Sequence, residues 1–208
     1  MLRAVFVTGS LAHGGAERHS ISLMNRLAER GHECHAVAIK PDEPSQIDRL
    51  RLRNSGTARC LNAARYFDWR ALAGFAAHLS DIKPSVVVAA NPYALMYASI
   101  ALRLSRVKAR LVVTYHSNRL LGAKEWLQML VYRLFFWTSD CLVFVCERQR
   151  RYWSARAVRA RRTEVIHNGV DTDEFADRWD EHEQERRNDP GRSVRQCDLD
   201  KRAQPAGA

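Results

Sequence analysis

Val86-Val87-Val88-Ala89-Ala90-Asn91-Pro92 is an unbroken apolar run closed by a pair that ends a strand. Apolar and polar residues do not alternate in it, so both of its faces must be buried, as in the inner strands of a parallel sheet. Upstream, Asp68 is placed to cap a helix over residues 69–80, with Leu72, Phe75, Ala76 and Leu79 on one face. Downstream, small residues predict a helix over 93–104, and a second apolar strand follows at 110–115.

The same unit recurs in both directions. Toward the amino terminus, Val5-Phe6-Val7-Thr8 is a strand, and Gly9-Ser10 and Gly14-Gly15 form a flexible turn. The helix that follows carries Ile21, Met24, Leu27 and Ala28 at helical spacing and stops at Gly31, before a strand over 34–39. Residues 41–55 form a polar loop with a helical turn, and 57–61 a short strand. Toward the carboxyl terminus come a helix over 124–137, a strand over 141–145, a helix over 147–157 and a strand over 163–166. Strands alternating with helices in this way predict an α/β fold, a Rossmann-like doubly wound parallel sheet. Residues 1–175 make up the domain. Residues 176–208 are dominated by Arg, Asp, Glu, Gln and Pro, with Trp179, Val194 and Leu199 as the large apolar side chains, and predict a polar, disordered tail that buries no core.

Composition narrows the classes. With 46% hydrophobic and 27% charged residues, the chain is neither collagen-like nor disordered as a whole. The net charge of +10 suits an acidic partner or a solvated basic surface, and no nucleic-acid-binding signature accompanies it, so nucleic acid is not expected as a partner. Five cysteines, an odd number with no CxxC pair, read as reduced thiols and favour a cytoplasmic location. Residues 2–7 are too short for a signal segment and are interrupted by Arg3, and nothing approaches the ~18 apolar residues of a membrane span. His13, His19, His32 and His35 are expected on the surface or in loops, with no metal site.

Open parallel sheets bind ligands beyond the carboxyl ends of their strands. Gly9, Gly14 and Gly15 lie there after the first strand, Asn91 after the fourth, His116 to Arg119 after the fifth, and Cys146-Glu147-Arg148 after the sixth. Backbone amides of a glycine turn and the positive end of the following helix suit a phosphate, although glycines also simply close tight turns. The spacing is not GxGxxG, which disfavours a nicotinamide cofactor. Asn91, Asn118 and Arg119 are chemically suited to sugar hydroxyls or a phosphate; equally, Asn91 can cap a helix and Arg119 can be a surface charge.

Three motifs together carry a resemblance: Gly14-Gly15-Ala16-Glu17-Arg18, Val112-Val113-Thr114-Tyr115-His116-Ser117, and Val165-Ile166-His167-Asn168-Gly169-Val170-Asp171-Thr172-Asp173-Glu174-Phe175. In order and spacing, residues 1–175 resemble the amino-terminal half of a family 4 glycosyltransferase. The resemblance implies one half of a two-domain GT-B enzyme that moves a hexosyl group from a nucleotide sugar to a glycan or lipid-linked acceptor, with retention and without a required metal or cofactor. It implies that Gly14 and Gly15 approach the donor phosphates, that His116 is catalytic, and that this half holds the acceptor, for which Asn91, Asn118 and Arg119 are the candidates by position and chemistry. The donor-binding half has no counterpart after Phe175, so a truncated product inactive alone is expected first, ahead of a pseudo-enzyme or a separate donor domain supplied in trans. The alternative is a non-catalytic module that binds an acceptor or a partner. The apolar segment from Trp126 to Trp137, with Lys124, Arg133 and Arg103 as cationic flanks, can lie on a membrane or pack in the core.

Overall fold

The protein is described by a computed structural model covering residues 1–12, 14–41, 46–52, 55–116 and 122–169, with the side chains of 123 and 124 left aside. The elements run β1 (Arg3–Thr8), α1 (Gly15–Glu29), β2 (Glu33–Ala38), a 3-10 turn (Ile47–Arg49), β3 (Ala58–Cys60), α2 (Trp69–Ile82), β4 (Val86–Ala90), α3 (Asn91–Ser105), β5 (Arg110–Tyr115), α4 (Ala123–Thr138), β6 (Cys141–Phe144), α5 (Glu147–Ser154) and β7 (Arg162–Val165). All seven strands are parallel, in the order β3-β2-β1-β4-β5-β6-β7. This is the Rossmann-like α/β sheet that the apolar runs predict. The compact unit extends from Met1 to His167. Of the unit that begins at Asn168, Asn168 and Gly169 are described, so the expected boundary at Phe175 and the tail at 176–208 lie outside the described residues.

Local chemistry explains the element ends. Gly31 takes φ +82°, and the amides of Gly31 and His32 bond the carbonyls of Ala28 and Leu27, closing α1 with a left-handed cap that glycine adopts without strain. Asp68 caps α2 as its sequence position predicts, its carboxylate accepting from the amides of Arg70 and Ala71. The α3 helix starts two residues before the expected 93, because Pro92 fits the first turn, where its missing N–H has no partner to lose. The α5 helix ends before the expected 157, and Ala157 is left-handed at φ +58°.

Packing is asymmetric. On one face Phe6, Ile21, Met24, Cys34 and Ala36 gather under α1. On the other, α2 to α5 bury the larger cluster, in which Tyr115 meets Phe136, Phe144 and Trp153 at ring-centroid distances of 5.6, 6.3 and 4.8 Å. Such aromatic contacts add about 0.5–1.5 kcal/mol each beyond the area they bury. Phe136 is fully buried, whereas Leu127, Leu130, Val131, Leu134 and Trp137 of the same helix face solvent. The helix α4 is therefore apolar on two sides, one packed and one bare. Among the described residues no helix is long and apolar enough to cross a membrane.

Two expectations are corrected. His35 is a core residue of β2, not a surface one, with its ring nitrogens 2.9 Å from Thr57 Oγ1 and 3.2 Å from Glu33 Oε1. Arg133 is half-buried with an unpartnered buried Nε, so it is not a solvated flank of α4.

Candidate functional site

Chain direction across the sheet reverses between β1 and β4: β2 and β3 are added on one side of β1, and β5 to β7 on the far side of β4. Loops leaving the carboxyl ends of these two central strands diverge and open a crevice, the usual ligand position in such sheets. Gly9 follows β1, Asn91 follows β4, and His116 follows β5.

Gly14 is the N-cap of α1 and Gly15 its first residue, so the free amides of the first turn are presented at the crevice. A Cβ at Gly15 would meet nothing within 4 Å, leaving room for an anion to reach the backbone. At Gly14, a Cβ would collide with the carboxylate of Glu17 from the same turn. The chain's own anion thus lies over the helix end, and a phosphate would have to displace it.

His116 stands across the crevice. Its backbone amide donates to Asn91 Oδ1 at 3.1 Å, tying the β5 end to the β4 end. Asn91 itself is left-handed, φ +72°, a conformation asparagine tolerates better than other residues with a Cβ. One helical turn beyond Gly15, His19 reaches the imidazole of His116, ring centroids 5.3 Å apart and tilted by 58°. His19 is therefore a site neighbour, correcting the expectation of a surface residue. Burial, and secondly the adjacent His19, push His116 down to about 4; burial also lowers His19. At neutral pH both rings are uncharged.

Nε2 of His116 is buried and has no hydrogen-bond partner. Thr8 Oγ1 and Thr114 Oγ1 share this condition at the ends of β1 and β5. Buried polar atoms of this kind normally find partners, and an unmet group costs about 1–3 kcal/mol. At the carboxyl ends of β1 and β5, such groups suit a polyhydroxylated or phosphorylated ligand.

The structure brings Gly14, Gly15, Asn91 and His116 together. Asn118 and Arg119 lie outside the described residues. Glu147, after β6, is occupied by Arg150 and Arg151, which hold its carboxyl down at about 2, and it is an exposed ion cluster. Two residues escaped the sequence reading. Lys40, just past β2, holds its ammonium 5.7 Å from the centre of the Tyr93 ring; the strand-end rule, applied to β2 as to the other strands, would have found it. Tyr93 packs against Gly9, whose added Cβ would stand 3.5 Å from its Cδ1. Among the described residues no group of three His, Cys, Asp or Glu side chains could hold a metal ion.

Comparison with known proteins agrees with this fold. The family model described as Glycosyltransferase Family 4 matches residues 13–174. Among solved structures, the chain is similar to Anabaena HepE in complex with UDP and glucose, with TM-score 0.64 and 17% identity over 82% of this chain and 45% of that one. It is similar to the lipopolysaccharide outer core galactosyltransferase WaaB, with TM-score 0.60 and 16% identity over 81% and 46%. Sucrose-phosphate synthase from Thermosynechococcus elongatus gives TM-score 0.59 and 16% identity over 81% and 49%. At these identities the likeness is one of fold, and the chain spans about half the length of these structures. A search of curated proteins finds no match.

Proposed function

The chain belongs to glycosyltransferase family 4, and on that premise we propose that it is the acceptor-side half of a retaining nucleotide-sugar transferase acting on a glycan or lipid-linked acceptor. The observation that carries the reading is the buried, unpartnered Nε2 of His116 beside the amino-terminal turn of α1 at the switch point. In the transfer, the bond from the anomeric carbon to the departing phosphate oxygen breaks, and an acceptor oxygen takes its place on the same face. The acceptor's proton leaves with the nucleoside diphosphate.

Charge accumulates on that diphosphate, and groups aimed at it lower the barrier. Amides at Gly14 and Gly15 supply part of this and Lys40 adds a cation; the remaining cations come from a donor-binding domain outside this chain, with no metal required. His116, kept neutral by burial, hydrogen-bonds a hydroxyl of the transferred sugar. Asn91 spends its carbonyl oxygen on the His116 amide and offers its Nδ2 to the acceptor, with Asn118 and Arg119 as further acceptor contacts. The free thiols Cys34, Cys60, Cys141 and Cys146 suit a reducing cytoplasm. The bare face of α4 meets an anionic membrane, for which the exposed Arg103 provides matching charge.

The test is a fusion of a family donor domain after Phe175, assayed with UDP-glucose and other nucleotide sugars. Transfer should appear in the fusion and be absent from the chain alone. His116→Ala should lower kcat by about 100-fold, roughly 2.7 kcal/mol of barrier, without changing the melting temperature. Full activity in that variant would remove His116 from the mechanism.

One observation favours a second reading, a module that binds acceptor without catalysis: the Glu17 carboxylate lies beside Gly14 in the first turn of α1, where it competes with an incoming anion. If it merely competes with donor phosphate, Glu17→Ala should tighten pyrophosphate binding several-fold in calorimetry. If affinity does not change, those amides do not serve a phosphate and the binding module is the better description.

A further inference from the structure

Three large aromatic side chains crowd the rim of the sheet between β3 and α2, all exposed: Tyr66 at 45%, Phe67 at 49% and Trp69 at 58%. Isolated exposed rings need no explanation, but here Phe67 and Trp69 help to line a cavity of about 540 Å³, with Ala64, Arg65, Asp68 and Arg70. The rings of Phe67 and Trp69 lie 6.5 Å apart and within 30° of parallel, two flat faces presented side by side.

The loop that carries them is fixed. Asp68 accepts from the amides of Ala64, Arg70 and Ala71 at 3.1, 3.0 and 3.2 Å. The amide of Asp68 donates to the hydroxyl of Tyr97 at 2.9 Å, and that hydroxyl donates to the Tyr66 carbonyl at 3.3 Å. These bonds fix the backbone that carries the rings before any ligand arrives, which lowers the ordering cost of binding. They also keep the Asp68 carboxylate ionised and turned to the loop's own amides, so the lining carries two guanidinium groups, Arg65 and Arg70, against one carboxylate. Inward, Tyr66 lies 4.8 Å from Tyr93, the ring that packs against Gly9. The residue next to Phe67 thus reaches the crevice through the Tyr66–Tyr93 ring pair.

We infer that this rim is an acceptor subsite for an anionic glycan, which stacks on Phe67 and Trp69 and presents a carboxylate or phosphate to Arg65 and Arg70. The inference rests on the transferase reading and names its substrate class. Flat apolar faces flanked by a few polar groups in a preformed hollow suit a sugar ring. Guanidinium groups pair with carboxylate or phosphate through two parallel hydrogen bonds, so an acidic sugar gains more here than a neutral one. A bilayer would instead require a broad apolar face, such as that of α4, not a concave and basic one.

The experiment is calorimetry of the full chain without nucleotide. The probes are an oligogalacturonate, a phosphorylated maltohexaose, neutral maltohexaose and phosphatidylglycerol vesicles. At least one anionic oligosaccharide should bind at least 10-fold more tightly than neutral maltohexaose. Binding by the oligogalacturonate alone assigns a carboxylate to the subsite, and binding by the phosphorylated sugar alone assigns a phosphate. Trp69→Ala and Phe67→Ala should each weaken it at least five-fold with unchanged melting temperature, while the double variant R65A and R70A should erase the anionic preference. Transfer by the fusion carrying Trp69→Ala and binding by the chain alone are read in separate assays, so binding without transfer removes the transferase reading and transfer without ring-dependent binding removes the subsite. The proposal is overturned by failure to bind either anionic oligosaccharide. It is also overturned by anionic binding indifferent to Trp69 and Phe67, or by Trp69-dependent binding confined to the vesicles.

Discussion

Asn91 does two unrelated things with one residue. It accepts the left-handed turn between β4 and α3, and its side chain holds the backbone of His116. Asn91→Gly keeps the turn and loses the bond, whereas Asn91→Ala loses the bond and adds strain. Expected destabilisation is therefore about 1 kcal/mol for glycine and about 2 kcal/mol for alanine, by urea denaturation. Equal effects would mean the turn is unstrained. The sequence shows Asn91 as a strand-end residue with a choice between cap and ligand, but not this bond, because it joins positions 25 residues apart. His116 is legible through its place after an apolar strand and the resemblance. Its neutrality is not, since that comes from burial against His19 on another element.

At the scale of elements, boundaries follow from local chemistry: continuous valine runs, Asp68 before an amphipathic face, Gly31 after one. What periodicity leaves open is which side of an all-apolar helix packs. In α4, Met129, Tyr132 and Phe136 face inward, and Leu127, at 67% exposure, and Leu134 face outward. The double variant L127Q and L134Q should abolish flotation with phosphatidylglycerol vesicles while leaving the melting temperature unchanged. Phe136→Ala should instead destabilise by about 3–5 kcal/mol, as expected for a buried ring. Vesicle binding that survives the double variant would dismiss α4 as the contact. The aromatic rim escaped the sequence reading for a related reason: Phe67 and Trp69 flank the cap of α2, where aromatic residues carry no periodic signal.

For the whole molecule, histidine protonation sets the acid limit. Burial is the leading cause that lowers His19, His35, His78 and His116, the last to about 4. In an unfolded chain these groups titrate near 6.5, so below that pH the unfolded state binds more protons. Their contribution is complete above pH 6.5 and is lost as pH falls toward 4. The melting temperature should accordingly fall between pH 7.5 and 5.5. With partial solvent screening, His116 alone should account for about 1 kcal/mol of that loss, so the fall should be roughly 2–4 °C smaller in His116→Gln. An identical fall in the variant would show that His116 is not held neutral by the fold.

The α3 helix joins the two halves of the site. Its first residue holds the amide of His116, and Tyr97, six residues on, holds the loop that carries the aromatic rim. A helix rises 1.5 Å per residue, so these anchor points are about 9 Å apart along a rigid rod. The distance from shelf to reaction centre is thus built into the backbone and does not adjust to the guest. If the rim and His116 serve as proposed, the domain measures its substrate: an acceptor long enough to span both points would engage both at once, and a shorter one would give up one of them.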